Sequence, residues 1–272
     1  MLKLGVIGAG FVGGAVINGF NTLTVKQWVV DPNKSHTTFD ELLRAETDLV
    51  FVCVPTPPNA NGSVDARIIE FVLHDLSVGA YKGIVVIKST VTPDHLENFV
   101  RKYNSLRIIY NPEFLTEANS HQDFINPPMQ ILGGDWDDCE AVEKAYVRHS
   151  KVKIVPTFKT DIVSASLLKY TINSWLATKV SFMNELYQLH QSSGASTTWD
   201  QFTDMLQRDK RMGDSHLRVP GPDGEFGFGG HCFPKDTKGM LHYAEQQNVL
   251  LAVLATAVSR NDSIRNQVRN KA

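Results

Sequence analysis

Cysteine is scarce in this chain. Three among 272 residues are too few, and odd in number, for a disulfide framework, which points to a reducing, cytoplasmic compartment. Long apolar runs are missing as well: none approaches the ~20 residues of a membrane span. Lys3 interrupts the first such run, so neither a signal peptide nor a membrane partner is expected. Neither sign of charge is in excess, and a net charge of −2 gives no electrostatic reason to expect nucleic acid. The nine histidines include no pair at ligand spacing such as H-x-x-x-H, so no metal site is expected. Repeats and low-complexity tracts are absent too. What is left is an ordinary soluble composition, 42% hydrophobic and 21% charged, at a length that suggests about two domains of ~150 residues.

The first half alternates strand and helix. Leu2 to Ile7 reads as a buried strand running into Gly8-Ala-Gly10-Phe-Val-Gly13 and an apolar helix to about Phe20. A strand ending at Asp31, a helix from Phe39 to Ala45 and an apolar strand from Asp48 to Val54 follow. That order is the layout of a dinucleotide-binding unit. Its glycines allow a tight turn and close approach of a pyrophosphate, and the helix start supplies unpaired N–H groups. Asp31, eighteen residues after Gly13, stands where a carboxylate accepts from both ribose hydroxyls and repels a 2′-phosphate, which favours NAD over NADP. Helices over 66–76, 93–102 and 136–149 alternate with strands over 83–88, 106–110, 129–132 and 152–155. The expected fold is therefore α/β, a Rossmann-type, mostly parallel sheet covered on both faces. In such sheets ligands bind beyond the carboxyl ends of the strands. Three loops leave those ends: Val54-Pro-Thr-Pro-Pro58, Lys88-Ser-Thr90 and Asn111-Pro-Glu-Phe-Leu-Thr-Glu117. The prolines of the first would equally well stiffen a plain turn.

After Pro156 the pattern becomes helical. One long helix is expected from Asp161 to about Ser192, with Leu168, Ile172, Leu176, Val180 and Met183 at helical spacing. Lys169 and Asn173, four apart, share a face of it. Shorter helices are expected over 199–206, 238–246 and 250–268, and the domains are taken as 1–157 and 158–272. The last chemical signal is Gly227-Phe-Gly-Gly-His-Cys232-Phe-Pro-Lys-Asp236. Glycines let backbone approach a ligand closely, and a nearby cation favours thiolate, the reactive form of cysteine. Cys53, inside an apolar run, reads as core, and Cys139, after two aspartates on an expected surface helix, is given no role.

These motifs, in this order, resemble the nucleotide-sugar dehydrogenases, the UDP-glucose/GDP-mannose dehydrogenase family. The resemblance rests on the glycine turn, Val54-Pro-Thr-Pro57, Lys88-Ser-Thr90, Asn111 to Glu117, Lys169 with Asn173, Arg211-Met-Gly213 and Phe228 to Asp236. It implies a four-electron, NAD-dependent oxidation of a nucleotide-sugar primary alcohol to the carboxylate, of the UDP-glucose to UDP-glucuronate type. Cys232 would capture the intermediate aldehyde and carry the thioester. Lys169 and Asn173 would stabilise the oxyanions, Thr90 and Asp236 would handle the alcohol proton through a water, and Glu117 would activate water for hydrolysis. The resemblance further implies Gly8, Gly10, Phe11, Val12, Gly13, Asp31, Pro55, Thr56, Thr90 and Lys235 as cofactor contacts. Substrate contacts are implied for Glu113, Phe114, Leu115, Lys169, Asn173, Arg211, Phe228, Gly229 and Gly230. Arg211 would reach the substrate of a neighbouring subunit, hence a homodimer built on the long helix. Two features depart from the family's pattern. No counterpart of its C-terminal UDP-binding domain occurs in this sequence, so weak UDP-sugar binding is expected, and the polar segment from Asp214 to Glu225 is longer than the pattern requires. Two other readings share the layout. A single-hydride β-hydroxyacid dehydrogenase would also use Lys169 and Asn173, and a non-catalytic NAD-binding subunit would turn over nothing; two, one or zero NADH per substrate separates the three.

Overall fold

The computed structural model describes residues 1–116 and 118–269. Its strands and helices run β1 (Leu2–Ile7), α1 (Phe11–Gly19), β2 (Val25–Val30), α2 (Phe39–Arg44), β3 (Leu49–Val52), α3 (Arg67–Val78), β4 (Ile84–Ile87), α4 (Pro93–Lys102), β5 (Arg107–Tyr110) and α5 (Ser120–Ile125). They continue with β6 (Gln130–Gly133), α6 (Trp136–His149), β7 (Thr157–Thr160), α7 (Ile162–Ser192), α8 (Trp199–Leu206), α9 (Phe233–Gln246) and α10 (Ala252–Arg269). One sheet holds all seven strands in the order β2-β1-β3-β4-β5-β6-β7. Its pairings are parallel except for an antiparallel contact of β5 with β6 at Tyr110 and Gly133. All four residues of β3 and of β4 are buried, as expected of central parallel strands covered on both faces. The mostly parallel sheet and the long helix agree with the sequence expectation.

Contacts divide the chain into two compact units. The first comprises Met1–Asn59 and Val64–Lys169, and the second comprises Ala60–Ser63 and Tyr170–Ala272. An aromatic cluster of Phe20, Phe51, Phe124 and Tyr146, with ring centroids 5.2 to 6.5 Å apart, anchors the core of the first unit. In the second, Ala177, Phe228, Leu254 and Val258 form one core cluster and Met183, Trp199, Leu217 and Val219 another.

Four local expectations are corrected. The last strand is Thr157–Thr160, not 152–155. The amides of Lys151 and Lys153 donate to Gly19 O and Ile125 O, at the ends of α1 and α5, so that stretch is not available to the sheet, and pairing with β6 starts beyond Pro156. Helix α5 was not foreseen. Helix α9 begins five residues earlier than expected, with Cys232 as its N-cap, because Pro234 falls in the first turn, where a missing N–H costs nothing. The inward face of α7 carries Ala165, Tyr170, Ala177 and Met183, while Leu168, on the expected apolar stripe, is exposed.

Candidate active site

In the first unit the glycine turn is packed backbone on backbone. A side chain at Gly8, whose φ is 89°, would meet Cys53 O at 2.5 Å, and one at Gly13 would meet Gly8 O at 1.8 Å. Around Gly10, the N-cap of α1, there is only open space. Beside it lie Phe11, Val12 and Gly13, whose amides have no partner within the helix. Asp31, just past β2, accepts from Ala9 N (2.7 Å) and from Asn33 N (2.9 Å). The Ala9 amide first, then Asn33, holds its carboxyl below the usual range, so Asp31 is an anion at the turn with lone pairs to spare. The open cradle, the helix start and this acceptor fit a dinucleotide without a 2′-phosphate. Pro55 is exposed and Thr56 buried. Thr56 Oγ1 donates to Thr90 O (3.0 Å) and Ser89 Oγ to Val54 O (2.7 Å), which ties the loop after β3 to the loop after β4.

The loop after β5 is held by two buried lysines. Lys169, 2% exposed, donates to Glu113 Oε1 (3.0 Å) and to Glu113 O (2.5 Å), with its ammonium 5.1 Å from the Phe114 ring centre. Leu115 N donates to Glu113 Oε2 (2.7 Å). Burial alone would raise the Glu113 carboxyl, but Lys169, the Leu115 amide and Lys88 outweigh it and hold the group below the usual range. Lys88, 3% exposed, donates to Asn111 O (3.2 Å) and Asn111 Oδ1 (3.0 Å). Tyr146 Oη donates to the same Oδ1 (2.7 Å), and Asn111 Nδ2 to Ile131 O (2.8 Å). Burial pushes the Lys88 amine down to about 8. A cavity of about 160 Å³ opens onto Lys88, Glu113, Phe114, Leu115 and Thr116. The sequence reading gave Lys88, Asn111 and Tyr146 no role of their own; a lysine closing the apolar strand β4 was the available signal. Glu117 lies outside the described residues.

In the second unit Cys232, half-buried, caps the start of α9. One turn on, Asp236 is 1% exposed and accepts from Asn173 Nδ2 (2.6 Å) and Lys235 Nζ (2.6 Å). The Lys235 ammonium is thus engaged by Asp236 rather than left to the thiol alone. Phe228 is a core side chain, 5% exposed. Gly227 and Gly230 have φ values of 76° and 74°, which only glycine adopts without strain. Arg211 sits on an exposed loop, bidentate to Asp209. The other two thiols are poor nucleophiles: burial raises Cys53 to about 12 and Cys139, fully buried on α6 rather than at the surface, to about 11. Among the described residues no group of three His, Cys, Asp or Glu is placed to hold a metal, and no helix is long and apolar enough to cross a membrane.

The NAD binding domain of the UDP-glucose/GDP-mannose dehydrogenase family matches residues 35–150, and the central domain of the same family matches residues 163–263. A UDP-glucose 6-dehydrogenase of Rickettsia bellii is 33% identical over 220 residues, 79% of this chain and 49% of that protein. A GDP-mannose 6-dehydrogenase of Pseudomonas savastanoi is 31% identical over 250 residues, 86% and 54% of the two chains. The solved UDP-glucose dehydrogenase of Pyrobaculum islandicum superposes with a TM-score of 0.79 at 28% identity, over 97% of this chain and 68% of that one. The chain spans about half the length of the curated relatives it matches.

Proposed function

Since this chain belongs to the UDP-glucose/GDP-mannose dehydrogenase family, we propose that it oxidises the primary alcohol of a nucleotide sugar to the carboxylate. The observation that carries this reading is the first turn of α9, with a cysteine at the N-cap and, four residues on, a buried aspartate gripped by Asn173 and Lys235. A thiol at a helix start meets partial positive charge, which favours its nucleophilic form. Single-hydride chemistry has no use for such a group; trapping an aldehyde does.

NAD, when bound, would supply a two-electron hydride acceptor, and the full oxidation uses two NAD molecules, one for each hydride. The substrate carbon loses both, and the alcohol and one water together release three protons, leaving the carboxylate. Asp236, with Thr90 and a water, takes the first alcohol proton. Cys232 then bonds to the aldehyde carbon, the hemiacetal oxygen loses its proton as the second hydride departs, and water displaces the thiolate from the thioester. Glu117 serves as base for that water. Lys169 and Asn173 donate to the oxygen as it gains charge, where losing one donor typically costs ~10²–10³ in rate. Asp31 and the glycine turn seat the cofactor, and Glu113, Phe114 and Leu115 bound the sugar. NADH absorbance on a panel of UDP- and GDP-sugars tests this. Two NADH and one carboxylate per sugar are expected; one NADH, or none on any sugar, refutes it.

A homodimer through α7 belongs to the same reading. Leu168, Trp175, Phe182 and Leu189 are 37%, 65%, 55% and 64% exposed, and seven residues nearly complete two turns, so all four share one stripe. A second copy of the chain covers such a stripe, and the exposed Arg211 would then serve the partner's substrate. Sedimentation should give a dimer that Trp175→Glu with Phe182→Glu dissociates; a monomeric parent chain refutes it. A cytoplasmic location belongs to the same proposal, argued from its nucleotide-sugar and NAD chemistry.

A further inference from the structure

The long polar segment from Asp214 to Glu225 has no part in the chemistry above. It ends in a tight turn, where Gly221 N donates to Glu225 O (2.8 Å) and Glu225 N to Asp223 Oδ1 (3.1 Å). From that turn Asp223 Oδ2 accepts from Arg265 Nη2, on α10, at 2.7 Å. The same Nη2 donates to Gly227 O (3.2 Å). The guanidinium also lies against Gly229, where a Cβ would sit 2.5 Å from Nη2, 2.9 Å from Cζ and 3.1 Å from Nη1. Two asparagines complete the clamp. Asn184 accepts from Gly227 N (2.9 Å), and Asn261 both accepts from Phe228 N (2.6 Å) and donates to Phe228 O (3.1 Å).

Every polar backbone group of Gly227 and Phe228 is therefore held by a side chain of α7 or α10. The asparagines are 1% and 3% exposed and packed in place. Arg265 differs: its Nε is buried and makes no hydrogen bond, so its aim is set through Nη2 by Asp223 and Gly227 O. Beyond Phe228 the chain passes through Gly229, Gly230 and His231 to Cys232, the N-cap of α9. Gly230 has a positive φ and nothing within 4 Å of where a Cβ would be, so it cannot hold the path by packing. Arg265 thus touches this path at Gly229, three residues before the thiol.

We propose that Arg265, aimed by Asp223, is a positioning residue for Cys232, fixing the glycine path by which the chain enters α9. The long segment is on this view a brace carried by the chain itself. Its consequence for turnover rests on the thiol chemistry proposed above; its consequence for the thiol does not.

Alkylation of the full chain by iodoacetamide, read at Cys232 by mass spectrometry, tests it, with the buried Cys53 and Cys139 as silent internal thiols. Arg265→Ala should speed alkylation of Cys232 by about tenfold, the increase in local opening that a lost charge-assisted hydrogen bond allows. Asp223→Asn, on an exposed turn and safe for folding, should give about threefold. Arg265→Lys should restore only part of the slow rate, because an ammonium can donate to Asp223 but lacks the guanidinium plane that meets Gly229. Gly229 does not need a positive φ, so Gly229→Ala is acceptable to the backbone and acts by displacing the guanidinium. It should speed alkylation in the parent chain and change nothing further in Arg265→Ala, a coupling that general loss of stability would not produce. Rates within twofold of the parent in both Arg265→Ala and Asp223→Asn, or a Gly229→Ala effect equal in both backgrounds, overturn the proposal. These outcomes hold whatever the protein oxidises, so failure of the brace and failure of the sugar reading are told apart.

Discussion

Removing one member of the Lys169–Glu113 pair gives the sharpest test of the electrostatics. Their side chains are 3% and 6% exposed, so Lys169→Met leaves a carboxylate in a dry pocket, its ammonium gone and its Leu115 amide bond insufficient. Breaking a buried pair from one side typically costs ~3–5 kcal/mol. At ~2–4 °C per kcal/mol for a chain of this size, the melting temperature should fall by roughly 6–20 °C. The pH dependence has a definite sign. In the parent, Glu113 has a depressed carboxyl, so its contribution is present above the ordinary glutamate range and fades as pH falls through the lowered folded value. In Lys169→Met, burial is opposed only by the Leu115 amide and Lys88 and the folded value rises, so the variant's deficit should shrink on acidification as Glu113 takes up a proton. Adding Glu113→Gln removes the stranded charge and should recover most of the stability, since paired removal is often near neutral. It should not recover turnover if Lys169 is the oxyanion donor proposed above, whose loss typically costs ~10²–10³ in rate. Scanning calorimetry at several pH values and NADH assays on the two variants read both quantities. A single variant as stable as the parent, or a double variant no better than the single, refutes the reasoning.

Other outcomes follow from the same geometry. NAD should bind more tightly than NADP, and Asp31→Ala should narrow the gap; equal affinities in the parent chain, measured by calorimetric titration, would count against the reading of Asp31. Cys232→Ala should abolish acid formation, and Cys232→Ser should hold an ester visible by mass spectrometry. Undiminished acid from the alanine variant rules out the thioester route. Lys88 falls from 10.5 to about 8 on folding, so the unfolded chain binds the extra proton between those values and stability rises with pH there, by on the order of 3 kcal/mol. Lys88→Met should flatten that rise in denaturant titrations between about pH 8 and 10, and an unchanged slope would show that the amine is not desolvated.

Much of this was legible in the sequence because it is encoded locally. The glycines before α1, Asp31 at the end of β2 and the apolar runs of β3 and β4 each declare themselves within a few residues, since a turn needs positive φ and a covered strand needs apolar side chains on both faces. The 31-residue α7 follows from the same kind of local consistency. Where sequence reading slipped, the deciding contact was distant. Residues 152–155 had strand composition, but the amides of Lys151 and Lys153 are taken by carbonyls of α1 and α5.

The candidate site divides along the same line. Residue types and order alone fixed the chemistry on offer: a thiol after glycines, two lysines, an asparagine and several carboxylates near strand and helix ends. Only the tertiary structure decided which charge meets which. It gave Glu113 to Lys169 across 56 residues, Asp236 to Asn173 across 63, Lys235 to Asp236 beside it, and Arg265 to Asp223 across 42. Periodicity tells a chain which face to bury, but a buried charge is tolerated only where a partner from elsewhere in the fold arrives to compensate it, and no local pattern specifies that arrival.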